Sequence, residues 1–250
     1  MIMKCIIICT TASINIRSII FASLASGLSF SVCADDLHGS EHGDAVFHKM
    51  RFEAATGEAD GKGYSNFDLD GWVGTDQNKL WIKSEGQRTG GNTEKLNVWA
   101  LYSRNIATFW DAQVGVRVDK DPKASTYFVV GFEGLAPYFF ETEAHAFVNK
   151  DGDVSLRIKQ RNDFLVTQRF ILQPFVELMV NAQSDQASRQ GAGFSKGELG
   201  VQARYEFTRK FAPYFEVKYD RKFGQTAAYA KAESEDVDAW IGQIGLRLMF

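Results

Sequence analysis

The chain has 250 residues, of which 45% are hydrophobic and 24% charged, and its formal net charge is −3 at pH 7. This length allows one large domain or two small ones, and the weakly acidic balance gives no indication of nucleic-acid binding. All three cysteines, Cys5, Cys9 and Cys33, lie in the first 34 residues. If that stretch is removed, the remaining chain can form no disulfide, thiolate nucleophile or cysteine-based metal site.

Residues 1–34 are predicted to be a cleaved signal peptide. Their only charges are Lys4 and Arg17, an apolar run follows over residues 18–30, and small residues allow cleavage after Ala34. Loss of the two basic residues would leave 26 basic and 31 acidic side chains, a net charge of −5. A transmembrane helix over residues 6–30 is the alternative, but polar residues interrupt this stretch and a span needs about 20 apolar residues.

Residues 35–46 are predicted to form a short, flexible, histidine-containing leader on the periplasmic side. His38 and His42 lie in it, and His48 and Met50 follow directly after it. Imidazole and thioether groups suit copper, and imidazole alone also suits zinc or nickel. Loose spacing and interspersed glycines favour a weak metal-collecting segment, with a solvated polar leader that binds no metal as the alternative.

From about residue 47 to the end, apolar and polar side chains alternate, as in Trp110, Val114 and Val118 against Asp111 and Arg117. This period of two indicates half-buried strands. The segments run for about 10 residues, the length of a tilted membrane-spanning strand, whereas soluble strands average about 5–6. The charged faces favour a membrane barrel with an acidic lumen, because a water-filled lumen tolerates charges that an ordinary packed core does not. Twelve strands leave two alternatives, an open channel or a lumen largely filled by side chains. The final Phe250 also resembles the C-terminal signal of bacterial outer-membrane proteins.

Twelve strands are predicted, and the linkers between them fall alternately into two classes. The strands are placed at 47–57, 66–75, 78–87, 95–104, 109–119, 125–134, 138–149, 153–163, 169–182, 197–208, 211–222 and 238–250. External loops are expected at 57–65, 88–94, 120–124, 150–152, 183–196 and 223–237, and short periplasmic turns at 76–77, 105–108, 135–137, 164–168 and 209–210. The prediction is therefore an all-β fold: an antiparallel transmembrane outer-membrane β-barrel of about 12 strands over residues 47–250. An even strand count would place both termini in the periplasm of a Gram-negative bacterium.

A second candidate metal site lies in the predicted lumen. His145 shares a face with Glu143, and Glu177 and Met179 alternate inward on a later strand. Ordinary lumen filling is the alternative interpretation of these four residues. The sequence contains no zinc-protease, Walker or Gly-x-Ser-x-Gly motif, so no enzyme is expected. The remaining enzymatic hypothesis is a barrel hydrolase in which His145 and Glu143 act as a base and its acid partner.

Long ordered blocks of the sequence closely resemble the copper resistance protein B family. They include Gly71-Trp-Val-Gly-Thr-Asp76, Phe109-Trp-Asp-Ala-Gln-Val-Gly-Val-Arg117 and Phe211-Ala-Pro-Tyr214, together with residues 78–86, 100–104, 134–141, 165–174, 198–200 and 221–224. The resemblance implies an outer-membrane protein that helps bacteria survive excess copper, works beside periplasmic copper-handling proteins, and binds or transports copper ions without using them in catalysis.

The resemblance also limits which metal ligands carry over. The family's leader is usually richer in methionine and histidine, so the ligands are restricted to His38, His42, His48 and Met50, which weakens any expectation of high-capacity copper storage. The leading hypothesis is a non-enzymatic copper-tolerance barrel that acts by sequestration or efflux. The alternative is a general small-solute pore without a metal role.

Overall fold

Antiparallel strands account for most of the chain that the computed structural model describes, namely residues 45–121, 124–184, 190–232 and 235–250. The predicted signal peptide and the leader residues His38 and His42 lie outside these ranges. The strands are β1 (Phe47–Ala59), β2 (Lys62–Gly74), β3 (Asn78–Thr89), β4 (Asn92–Ala107), β5 (Trp110–Asp121), β6 (Ser125–Ala136), β7 (Phe140–Asn149), β8 (Val154–Arg161), β9 (Phe164–Leu165), β10 (Phe170–Asn181), β11 (Gly193–Tyr205), β12 (Phe211–Lys222) and β13 (Asp238–Met249). A helix, α1 (Gly224–Ala232), precedes β13, and a 3-10 turn, Pro137–Phe139, precedes β7. Neither helical element within the described ranges is long and apolar enough to cross a membrane.

Twelve of these strands close into a barrel. Consecutive long strands pair in antiparallel register around the ring, with β8 pairing directly with β10. Closure comes from β13, which pairs with β1 from Met249 opposite Arg51 to Ile241 opposite Ala59. The two-residue β9 adds a short pairing with the start of β10. The predicted antiparallel barrel of about twelve strands is therefore confirmed, and a closed ladder leaves no sheet edge to lipid.

The linkers differ from the prediction at two hairpins. The end of the barrel where β1 begins and β13 ends is called the terminal end here, and the opposite end the loop end. At the loop end, β1 and β2 are joined by Asp60-Gly61, and β3 and β4 by Gly90-Gly91. All four residues have positive φ, from 46° to 89°, as tight two-residue hairpin turns require. The predicted loops at 57–65 and 88–94 are therefore wrong, because the polar residues there continue the strands.

Two further predicted linkers contain secondary structure. Helix α1 lies within the predicted loop 223–237, and β9 lies within the predicted turn 164–168. Only two connections at the loop end, residues 182–192 and 223–237, are long. The predicted contrast between long and short linkers is thus weaker than expected, although the two classes do lie at opposite ends of the barrel.

The two faces of each strand differ in the sense expected of a membrane barrel. On β5, Val116 and Val118 are 47% and 50% exposed on the outer surface, whereas Gln113 and Arg117 are 3% and 8% exposed inside. Exposed aromatic side chains cluster at both ends, including Phe109, Tyr138 and Phe139 at the terminal end and Phe194 and Trp240 at the loop end. An apolar band between two aromatic girdles is the arrangement that a barrel presents to lipid.

This arrangement predicts that a charge placed on the outer face destabilises the barrel according to its depth. Val116→Arg, at the middle of β5, should lower the free energy of unfolding in lipid vesicles by about 2–4 kcal/mol, because it places a guanidinium near the bilayer midplane. Thr126→Arg, on the outer face at the loop end of β6, should lower it by only about 0–1 kcal/mol. Equal losses in denaturant titrations would show that this face does not meet hydrocarbon.

Candidate functional site in the barrel lumen

Charged and polar side chains fill the lumen of the barrel. Lys83, His145 and Arg157 are 4%, 0% and 2% exposed, and Gln202, Glu216 and Gln243 are also buried. These residues occupy the inward positions of their strands, since the outward positions are taken by apolar side chains. A wide aqueous channel would leave such groups solvated, so the described lumen is packed rather than open.

Two residues of β3 form ionic contacts across the lumen. The Lys83 ammonium donates to Glu133 Oε2 at 2.8 Å and to Glu143 Oε2 at 3.0 Å. From the opposite wall, Arg157 Nη1 donates to Glu85 Oε1 at 2.8 Å. Glu133, Glu143 and Arg157 lie on β6, β7 and β8, and at least β4 and β5 separate these strands from β3 around the ring. These five residues, called the charged crossbar below, therefore bridge the interior instead of linking neighbouring strands.

Cations interleave with the carboxylates throughout this region. Lys83 also lies 3.3 Å from Asp70 Oδ2, and Arg161 donates to Glu141 at 2.6 Å and to Glu143 at 2.8 Å. The space left among these groups has room for about one water molecule. Of the two alternatives for the lumen, the described residues favour the one filled by side chains. The expected acidic character is corrected, because the carboxylates lie among lysine and arginine side chains that largely neutralise them.

An aromatic and aliphatic cluster fills the lumen beside the crossbar. It consists of Trp81, Trp99, Leu101, Val129 and Phe147. The Arg117 guanidinium lies 5.2 Å from the Trp99 ring centroid and 4.9 Å from that of Phe147, and Arg157 lies 4.6 Å from Trp99. Attraction between a cation and an aromatic face stabilises both groups away from water. This cluster was missed in the sequence, because its strands carry apolar residues on both faces and the alternation disappears.

His145 is the candidate ligand that the structure describes most fully. Gln113 Nε2 donates to Glu133 at 3.0 Å, which turns Gln113 Oε1 toward His145 Nε2 at 2.7 Å. Because that oxygen can only accept, Nε2 carries a proton, and in the neutral form of the ring Nδ1 keeps its lone pair. Nδ1 is buried and has no hydrogen-bond partner among the described residues. Trp99 contacts the imidazole edge-on, with ring centroids 5.4 Å apart.

The other luminal candidates are interleaved with cations. Glu143 accepts hydrogen bonds from Lys83 and Arg161, so the pairing with His145 that a hydrolase would need is not formed. Glu177 lies 3.8 Å from Arg157 and 3.9 Å from Lys159. In the strand register, Arg157 stands opposite His145 on one side and opposite Met179 on the other. The described ranges contain no group of three or more His, Cys, Asp or Glu residues that could hold a metal ion.

His48 and Met50 lie at the terminal end of β1, on its outer face. His48 is exposed and pairs with Val73. Met50 pairs with Gly71, and its sulfur lies so close that a β-carbon at Gly71 would stand 2.3 Å from it. The structure therefore separates these two residues from the luminal candidates.

Comparisons with known proteins give a family and a fold. The model of the family described as Copper resistance protein B precursor (CopB) matches residues 46–250. Copper resistance protein B of Escherichia coli is 38% identical over 186 residues, and its homolog in Pseudomonas syringae pv. tomato is 40% identical over 185 residues. Each alignment covers 74% of this chain and 63% of the relative, so the chain spans less than two thirds of the length of these curated relatives.

Among solved structures, the chain is similar to two porins. The NanC porin superposes with a TM-score of 0.56 at 14% identity, covering 79% of this chain and 98% of that one. The KdgM porin gives 0.52 at 11% identity, covering 80% of this chain and 99% of that one. At this level of identity the similarity establishes the fold alone, an outer-membrane barrel.

The buried crossbar predicts a large loss of stability when its cation is removed. Lys83→Met keeps most of the side-chain volume but leaves Glu133, Glu143 and Asp70 without their shared ammonium. Loss of one partner of a buried ion pair costs about 3–5 kcal/mol, because the remaining charge is uncompensated. Unfolding in detergent should show this loss for Lys83→Met and none for Lys62→Met, which removes an exposed pair with Asp236. Equal stability of the two variants would mean that the crossbar is solvated.

Proposed function

The chain belongs to the copper resistance protein B family, and on that premise we propose that it is an outer-membrane barrel that binds copper ions and contributes to copper tolerance by sequestration or efflux. The observation that carries this proposal is the family match, which covers the whole described barrel. Copper is the cargo of such a protein and has no catalytic part.

We propose that copper capture takes place at the terminal end, on the periplasmic side, where both termini of the chain would lie. The ligands on this proposal are His38, His42, His48 and Met50. Its support is chemical, since imidazole and thioether groups bind copper well, and positional, since His48 is exposed where the chain enters β1. Periplasmic copper-handling proteins would deliver the ion to this segment.

The packed lumen favours sequestration, or passage that needs a rearrangement, over a permanently open path. An ion that crosses the barrel must separate Lys83 from Glu143 or Arg157 from Glu85, which lie 3.0 Å and 2.8 Å apart. His145 and Met179 are proposed as a weaker station along such a path, with Glu143 and Glu177 beside them. Both carboxylates lie close to cations, which reduces their value as copper ligands.

The capture segment can be tested in a strain whose copy of the gene is deleted. The triple variant His38→Ala, His42→Ala and His48→Ala should restore much less survival in copper than the unchanged chain, and its refolded barrel should bind less copper. Lys49→Ala is the matched control, because it changes an exposed neighbour that is no copper ligand. Full rescue by the triple variant would remove the histidines from the mechanism.

A general small-solute pore is the second candidate function. The fold shared with porins favours it, whereas the side chains that fill the described lumen argue against an open pore. In planar bilayers the refolded chain should show no steady conductance, because the charged crossbar blocks the direct path. Steady porin-like conductance that copper does not alter, together with normal growth of the deletion strain in copper, would support the pore and contradict the copper proposal.

A further inference from the structure

A small pocket at the loop end is lined mainly by side chains that carry oxygen. It lies between the start of β6, the β7–β8 turn, the end of β10 and two residues that follow β10, Gln183 and Gln190. The lining residues are Tyr127, Asn149, Asp153, Val154, Ser155, Asn181, Gln183 and Gln190. The strand register brings them together, since Asn149 stands opposite Tyr127, and Ser155 stands opposite Asn181. The pocket has room for about one or two water-sized groups, which excludes most organic ligands.

Asn181 provides an unsatisfied acceptor in this pocket. The residue is 5% exposed, and its Nδ2 donates to the carbonyl oxygen of Gly191 at 3.3 Å. This contact fixes the amide orientation, because the carbonyl of Gly191 can accept a hydrogen bond but cannot donate one. Asn181 Oδ1 is buried and has no hydrogen-bond partner in the part of the chain that the structure describes. A buried acceptor in this state destabilises the fold unless a ligand or water satisfies it.

Asp153 adds a carboxylate to the same pocket. The turn that carries it is fixed by Asn149, whose Oδ1 accepts from the backbone N–H groups of Asp151 at 2.8 Å and Asp153 at 2.9 Å. Asn149 Nδ2 donates to Asp153 Oδ2 at 2.8 Å. Among the residues that the structure describes, the pocket lining contains no lysine or arginine. The described lining therefore combines a carboxylate with an unsatisfied amide oxygen, and its described side chains include no basic group.

We propose that this pocket binds a hard divalent cation, Ca²⁺ foremost, through the Asp153 carboxylate and Asn181 Oδ1. The Ser155 hydroxyl and water molecules complete the coordination. Calcium accepts carboxylate and amide oxygens in flexible geometry, whereas magnesium demands a nearly ideal octahedron. The described lining contains no His, Cys or Met, so it lacks the soft and imidazole ligands that suit copper. The ion would tie the β7–β8 turn to the end of β10.

The affinity expected from a single carboxylate is low. Extracellular calcium modules bind with dissociation constants on the order of 10⁻⁴–10⁻³ M, and this pocket should fall in that range. The site does not depend on the proposed copper function, because none of its ligands belongs to the candidate copper residues.

The experiment uses the full chain refolded in lipopolysaccharide-free detergent micelles and titrated calorimetrically with Ca²⁺. Asp153→Asn should weaken binding at least tenfold, while its amide oxygen can still accept from Asn149. Asn181→Asp should tighten binding, because it adds a second carboxylate at the position of Oδ1. Asp151→Asn is the matched control, because Asp151 lies in the same turn but is exposed and does not line the pocket. The Ca²⁺ affinity of this variant should equal that of the unchanged chain.

The proposal fails if the unchanged chain shows no saturable Ca²⁺ binding, which would mean that water alone satisfies Asn181. It also fails if Asp151→Asn and Asp153→Asn weaken binding equally, since the ion would then be a diffuse counter-ion of the turn. Stoichiometric displacement of Ca²⁺ by Cu²⁺ with the same sensitivity to Asp153→Asn would overturn the assignment to a hard cation. Unaltered heat-modifiable mobility on a gel shows that each variant is folded.

Discussion

Backbone N–H and C=O groups inside a bilayer must pair with one another, because hydrocarbon offers them no hydrogen-bond partner. The chain satisfies this constraint by joining β13 to β1 and β8 to β10, so that twelve long strands form a ring. A closed ring leaves each side chain only two destinations, lipid or lumen, which alternate along every strand. A charged residue that faces lipid destabilises the barrel, so the charged residues of the strands lie mainly in the interior.

Charged side chains buried inside a narrow barrel need partners of opposite charge. Twelve strands enclose more space than eight, whose side chains fill the interior, but less than the wide channels of large porins. In this lumen long side chains from opposite walls meet, as Lys83 meets Glu143 and Arg157 meets Glu85. These ion pairs offset the desolvation free energy of the buried charges, and they also obstruct the direct path of an ion through the lumen. Stability and permeability are therefore opposed in this barrel.

The sequence predicted most of the fold, because strand alternation is a local property. It failed at Asp60-Gly61 and Gly90-Gly91, where polar residues continue the strands at the loop end and resemble a loop in composition. The face of His145 was predicted correctly, and the residue is fully buried inside. Its partner was not, because Gln113 comes from another strand. Alternation predicts the face on which a residue lies, whereas the crossbar depends on which side chains from distant strands come into contact across the lumen.

The distribution of charge bears on where a copper ion could rest. In the lumen the carboxylates near the center already lie close to lysine or arginine, so a cation would have to displace these groups. The other candidate ligands there, His145 and Met179, both stand opposite Arg157 in the strand register. The positive charge of Arg157 repels a metal ion at short range. At the terminal end, His48 is exposed on the outer face of β1, on the other side of the barrel wall from the cations of the crossbar. Electrostatics therefore favours capture outside the lumen over storage within it.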